Sequence, residues 1–225
     1  MEQHEDLRIT HQSTTLRALA VDKLRQAIVS GRFTSGERLV ERTLCDQLGV
    51  SRSIVREAIR YLEAEGLVEN QQRSGPVVAR LDWQDARQIY EIRRLLEAAA
   101  AAECAAKVDD MVRARLRSAL QDLIQASSEG APMKLYDATT AFYAVIFDAA
   151  SHHIAWDIVQ RLNGRISRLR ALTLATSNRR ISGPAHMTRI CEAICANQPE
   201  AAANAVNEHL RDAADIARQA LGGQS

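Results

Sequence analysis

The sequence predicts a mainly α protein: an N-terminal winged helix-turn-helix with a small β-hairpin wing, then a C-terminal antiparallel bundle of six or seven helices. Three observations carry this. Glu41 to Val68 reads as a short helix, a glycine turn and a serine-capped helix with arginines on one face and apolar side chains on the other. A glycine stop and two short β-prone runs follow it. From about Asp82 the composition becomes rich in Ala and Arg, with almost no Gly or Pro inside long periodic segments, which excludes a strand-rich second half.

The first helix of the motif, Glu41 to Leu48, turns Leu44 and Leu48 inward. Gly49 permits the positive φ of a tight turn, Val50 plugs the joint, and Ser51 is a good N-cap. Taking Arg52 as zero and advancing about 100° per residue, Arg56 falls at roughly 40°, Arg60 at roughly 80° and Ser53 at roughly 100°. Val55, Ala58, Ile59 and Leu62 occupy roughly 240° to 340°, so one flank packs and the other is free to meet DNA. Such a second helix enters the major groove N-terminal end first, which makes Arg52, Ser53 and Arg56 candidates for base and phosphate contact. Arg60 lies a turn further on and is expected at the sugar-phosphate backbone. This reading requires the arginines to point outward rather than be buried or locked to acidic neighbours. After the helix, Gly66 suits a C′ cap, and LVEN and PVVAR read as strands around a turn from Gln71 to Gly75. Arg73 at that wing tip is placed to reach phosphate or the minor groove.

Residues 20–81 resemble the N-terminal domain of the GntR family of bacterial transcription regulators. The likeness rests on "GERL" at Gly36 to Leu39 and on the "SR…VREA…L…GLV" pattern of the second helix and wing. It implies DNA contacts from Arg42, Ser51, Arg52, Ser53 and Arg56, and from the wing near Arg73 and Gly75. Two prolines usual in the family are replaced, by Ser35 and Ile54, which removes backbone restriction but no contact group.

Length and composition suit a regulator. With 225 residues, 46% hydrophobic and 25% charged, the chain can build one large or two small cores. No apolar run approaches the ~18 residues needed to span a bilayer, and the polar, acid-containing start is unlike a signal peptide, so the expected location is the cytoplasm, with no membrane partner. A net charge of only +1 means that any DNA-attracting potential is local. Cys45, Cys104, Cys191 and Cys195 form no CxxC knuckle; they read as reduced, buried thiols, with a redox switch through Cys191 and Cys195 as the alternative.

Beyond the wing, Asp82 can cap a helix running to about Lys107, with Ile89, Ile92, Leu95 and Leu96 as its apolar stripe. Further helices are expected over about 109–127, 133–150, 154–175, 183–196 and 199–221, separated by SSEGAP, ASHH, TSNRRISGP and ANQP. His152 and His153 read as loop residues. The organisation expected is a tail over 1–15, a winged helix-turn-helix over 16–81, a helical domain over 82–221 and a tail over 222–225.

This half resembles the FCD ligand-binding domain of the FadR subgroup, through YEIRRLLEAAAA, TAFYAVIFDAAS and AHMTRICEAICANQPEAAANAVNEHL. The resemblance implies a homodimer on an inverted-repeat DNA operator, whose affinity responds to a small metabolite such as an organic acid. Family members hold a divalent metal through an Asp and a His four apart and two later histidines. Here the later pair is His186 and His209, but Thr139 and Tyr143 stand at the first two positions. Two readings stay open: His186 and His209 hold zinc, nickel or manganese, making the regulator metal-responsive, or Thr139, Tyr143, His186 and His209 bind an organic effector directly. Arg93, in the family's E-x-R-x-x-L-E pattern (Glu91, Arg93, Leu96, Glu97), is aimed into the bundle, where a ligand carboxylate or an internal Glu must meet it. Arg165 or Arg168 is expected opposite. No nucleophile elbow, P-loop, HExxH or dinucleotide turn is present, so the chain does not read as an enzyme. A helical-bundle enzyme or an interaction module without operator binding is the alternative, and it leaves the aligned arginines unexplained.

Overall fold

A computed structural model describes residues 15–72, 74–167, 169 and 183–222. Arg73, Arg168, the tail before residue 15 and the end of the helix expected over 154–175 lie outside the described residues. Thr15, assigned to the tail from sequence, instead caps the first helix: its Oγ1 accepts from the Ala18 amide at 3.2 Å.

Two hydrophobic cores organise the chain. The first is built from α1 (Leu16–Val29), α2 (Glu41–Leu48), α3 (Arg52–Ala64) and the hairpin β1 (Val68–Gln71) and β2 (Gly75–Val78). α3 is the pivot. Its Val55, Ala58, Ile59 and Leu62 are buried against Ala20, Val21, Leu24 and Ile28 of α1 and Leu44 of α2. Gly49 ends α2 with φ 65°, and Ser51 opens α3 with its Oγ facing the Ile54 amide, so the turn forms as its residues dictate. β1 and β2 pair antiparallel with Val68 opposite Val78 and Gln71 opposite Gly75. Arg38 adds a bridge to Val77, and the Gly36 and Leu39 amides donate to the Val78 and Pro76 carbonyls at 2.8 Å. The GERL segment thus extends the wing's sheet, a role that its own periodicity did not reveal.

The second core is all helical: α4 (Trp83–Lys107), α5 (Asp110–Ser128), α6 (Pro132–Ala149), α7 (His153–Arg165), α8 (Gly183–Cys195) and α9 (Pro199–Ala220). Asp82 and Asp109 cap α4 and α5, accepting from the Asp85 and Val112 amides at 2.8 and 2.7 Å. α4 packs most extensively on α9, along buried Ala100, Ala101 and Ala105 on one side and Ala202, Ala205, Val206 and Ala213 on the other.

That alanine seam corrects the expected stripe of α4. Ile89 is buried and Leu96 is partly buried, but Ile92 and Leu95 are 41% and 61% exposed. The inward face follows Ile89, Arg93, Glu97, Ala100 and Cys104, because small residues let α9 approach and an internal ion pair takes two of the core places. Hydrophobicity alone therefore placed Ile89 and Leu96 on the core side and misplaced Ile92 and Leu95. His153 is likewise the first residue of α7, not a loop residue, and it borders an open hollow of about 380 Å³ with Arg115, Phe147, Asp148 and Trp156.

Phe142 is wholly buried where α6 meets the rest of the bundle. Phe142→Ala is expected to lower unfolding free energy by about 3–5 kcal/mol, read from urea denaturation followed by far-UV circular dichroism.

Candidate DNA interface and polar bundle interior

With one flank of α3 sealed, its other flank is presented outward. Ser51, Arg52, Ser53, Arg56 and Arg60 are exposed, as is Arg42 on α2, and Gly75 sits at the start of β2 with φ 72°. Arg73 at the wing tip falls outside the described residues. Ser51 and Ser53 join their hydroxyls at 2.9 Å at the leading end of the helix.

The arginines are outward but not all unpartnered. Glu41 of α2 takes the Arg56 Nε on both carboxylate oxygens, at 2.8 and 2.9 Å, and its Oε2 lies 3.9 Å from the Arg52 Nε. The Arg52 and Arg56 side chains remain 63% and 55% exposed, so water screens these pairs. The Arg56 Nη groups make no hydrogen bond among the described residues, and they leave a fork open to phosphate or a base edge. Glu41 therefore braces the reading face as much as it competes for it. Sequence reasoning missed this acid because Glu41 belongs to a different helix, fifteen positions before Arg56.

The helical domain buries an unusual set of polar side chains: Arg93, Glu97, Thr139, Asn163, Ser167, His186 and His209. Arg93 donates from Nε to Glu97 Oε1 at 2.7 Å, one helical turn along α4, and lies over the Tyr90 ring at 5.6 Å. Burial works against the charged guanidinium, but the Glu97 carboxylate, with Tyr90 and Tyr143 alongside, holds its pKa above the ordinary value. Of the two partners open to Arg93, the structure supplies the internal Glu. Among the described residues, Glu97 Oε2, Asn163 Oδ1 and Ser167 Oγ are buried without a hydrogen-bond partner.

The positions aligned with the family's metal site come out differently from one another. Thr139 donates to the Leu135 carbonyl of its own helix at 2.7 Å, so its proton is already used. Tyr143 is buried edge-on to Phe142, with ring centroids 5.9 Å apart. His186 and His209 come together at 5.3 Å between centroids, and His186 Nε2 meets Asp212 Oδ2 at 2.8 Å. Among the described residues no three His, Cys, Asp or Glu side chains converge on a point that could hold a metal. That donor set, two histidines with Thr139 and Tyr143 in place of the other ligands, does not fit the four-ligand metal of the family. Arg165 turns away from the interior to pair with Asp85 at 3.2 Å, and Arg168 lies outside the described residues. Asp212, Asn163 and Ser167 escaped sequence reasoning, although Asp212 follows His209 by three positions and Ser167 follows Asn163 by four, spacings that share a helical face.

The fold and exposed face define a winged helix-turn-helix DNA-binding regulator. The FCD domain family matches residues 88–212, and the gntR family of bacterial regulatory proteins matches residues 16–78. The chain belongs to the GntR family, in its FCD-containing branch, and is a transcriptional regulator rather than an enzyme. It is 28% identical over 190 residues to the uncharacterized HTH-type transcriptional regulator YdhC of Bacillus subtilis, covering 84% of this chain and 85% of that one. Over 75 residues it is 43% identical to the gluconate operon transcriptional repressor of the same organism, 33% of this chain and 30% of the relative. Among solved structures, E. coli McbR/YncC superposes with a TM-score of 0.74 at 21% identity, over 92% of this chain and 99% of the other. A GntR regulator from Rhodococcus sp. RHA1 gives 0.72 at 24%, over 93% and 99%. Both confirm the fold. No helix among the described residues is long and apolar enough to cross a membrane.

Two outcomes are expected. Arg93→Ala strands a buried carboxylate and should cost about 3–5 kcal/mol in denaturant unfolding, whereas Arg93→Met with Glu97→Leu should recover most of that loss. Burial pushes the Cys104 and Cys191 thiols up to about 11 and about 12, so at pH 7.5 both stay protonated. In native protein they should resist iodoacetamide while alkylating rapidly in denaturant, as read by mass spectrometry.

Proposed function

We propose that this regulator is a cytoplasmic homodimer whose two winged helices occupy half-sites of a short inverted repeat, with operator affinity set by a small metabolite held in the helical domain. Residues 16–81 form the DNA-reading unit and residues 82–221 the effector-binding and dimerisation unit. The observation that carries the reading is the exposure of Arg52, Ser53 and Arg56 on a helix whose opposite flank is sealed in a core. Arg52, Ser53 and Arg56 enter the major groove, with Arg42 and Ser51 at its edge and Arg73 and Gly75 on the wing. A near-neutral chain gains from pairing two heads, since dimerisation roughly doubles the phosphate contacts. The exposed Ile92 and Leu95 on α4 are apolar surface that dimerisation could cover.

The effector, an organic acid, lies among Arg93, Thr139, Tyr143, His186 and His209, with Arg168 as a further contact. The buried polar set supports this, because polar side chains are retained in a core at a cost unless something meets them. A coupling of about 1–3 kcal/mol between the two sites alters operator occupancy 5- to 150-fold.

Fluorescence anisotropy with an operator selected from a randomised duplex pool, repeated across a salt series, tests the reading. A salt-sensitive, sequence-selective complex is expected; its absence would remove operator binding from the account. Arg52→Ala and Arg56→Ala should each weaken the selected operator about 5- to 150-fold, and an equal loss on unrelated duplex would mean that they hold only phosphate. Tyr143→Phe should keep operator affinity and alter the response to effector.

A further inference from the structure

The two cores meet along a seam with no slack. At the end of α3, Glu65 caps the helix and Gly66 follows with φ 75°. Against them lie Gly164 and Arg165 of α7: a Cβ added to Gly164 would overlap the Glu65 carbonyl oxygen, and one on Gly66 would overlap the Arg165 side chain. The Glu65 carboxylate receives Arg25 of α1 on both oxygens, at 2.8 and 3.0 Å, and Arg25 also holds Asp22 at 2.5 Å. α6 joins the same seam. Met133 packs on the winged-helix core, and the Asp137 carboxyl, raised by burial, faces both Arg25 and Asp22.

One position before Gly164, the Asn163 side chain is buried, and among the described residues its Oδ1 and the Oγ of Ser167, one turn on, have no hydrogen-bond partner. Consecutive residues of α7 thus join a buried polar side chain of the helical domain to a backbone seated against the DNA-reading unit. α3 is a rod of about 20 Å that carries Arg52 and Arg56 at one end and Glu65 at the other. A push at the Glu65 end tilts the arginines relative to the groove.

We propose that α7 is the transmission element: Asn163 reads the effector by accepting an N–H or O–H donor from it, and Gly164 bears directly on Glu65 to set the attitude of α3. This rests on the effector-dependent reading above and adds to it a required chemistry and a route. Glu97 already neutralises Arg93, and the buried oxygens that lack a partner among the described residues, Glu97 Oε2, Asn163 Oδ1 and Ser167 Oγ, include two that can only accept, so an effector that meets them brings hydroxyl or amino donors as well as any carboxylate. Gly164 is required because side-chain atoms at that position would separate the two units; a packed contact of this kind passes on a shift that a loose one would absorb.

Hydrogen exchange by mass spectrometry on the full-length, ligand-free protein tests the route without knowledge of the effector. Asn163→Leu, which replaces a buried polar side chain, and Gly164→Ala should each alter exchange across residues 60–67 by about 2- to 30-fold while residues 186–194 keep their protection. Unchanged exchange across 60–67 in both variants overturns the proposal. Should Gly164→Ala lose protection everywhere, Arg165→Ala, which trims a half-exposed side chain from the same seam, decides: altered exchange at 60–67 supports the route, and none overturns it. Failure of the wild type to bind any selected duplex would sink operator control but leave this exchange result standing.

Discussion

The burial of one flank of α3 is the constraint on which the rest depends. Val55, Ala58, Ile59 and Leu62 can reach the core only if the helix sits in one rotation, and that rotation turns Arg52, Ser53 and Arg56 outward. The turn before it and the glycine after it serve this placement. Gly49 lets α2 and α3 cross at close range, and Gly66 lets the chain leave α3 directly into the wing, where Arg38 and Leu39 complete the sheet. Glu41 then steadies the arginine that lies nearest to it.

The helical domain follows a different economy. Its most extensive packing, α4 on α9, draws on buried alanines of both helices, which contribute little apolar area each but permit close approach. Into that core are set an ion pair, two neighbouring histidines and three oxygens, of Glu97, Asn163 and Ser167, that have no partner among the described residues. Each is a local cost in stability, and a core selected only for stability would replace them with hydrocarbon. Their concentration in one domain is the observation on which the proposed effector site rests.

Much of this was legible in the chain order. Caps at Ser51, Asp82 and Asp109, the Gly49 turn, the hairpin and the helix boundaries around residues 110, 132, 183 and 199 all follow local rules, because capping and turn formation depend on a few adjacent residues. The inward arginine of α4 and the pairing of His186 with His209 were also anticipated, through the resemblance to a family rather than through periodicity. The face of α4 was not. Ile92 and Leu95 are more hydrophobic than Ala100 or Ala101, and only the partner helix determines that the smaller residues go inside.

Which segments become helix and hairpin, and which flank of α3 is apolar, is written in the order of residues, since both arise from neighbours within a turn or two. It took the packing of whole elements to bring Glu41 to Arg56, to enclose Arg93 with Glu97, to bring Asp212 to His186 and to seat Gly164 against Glu65. Most of these contacts join residues far apart in the chain, and even the pair within α4 gains its partner only once the bundle excludes water. Their geometry comes from how whole elements pack, and no local rule contains it.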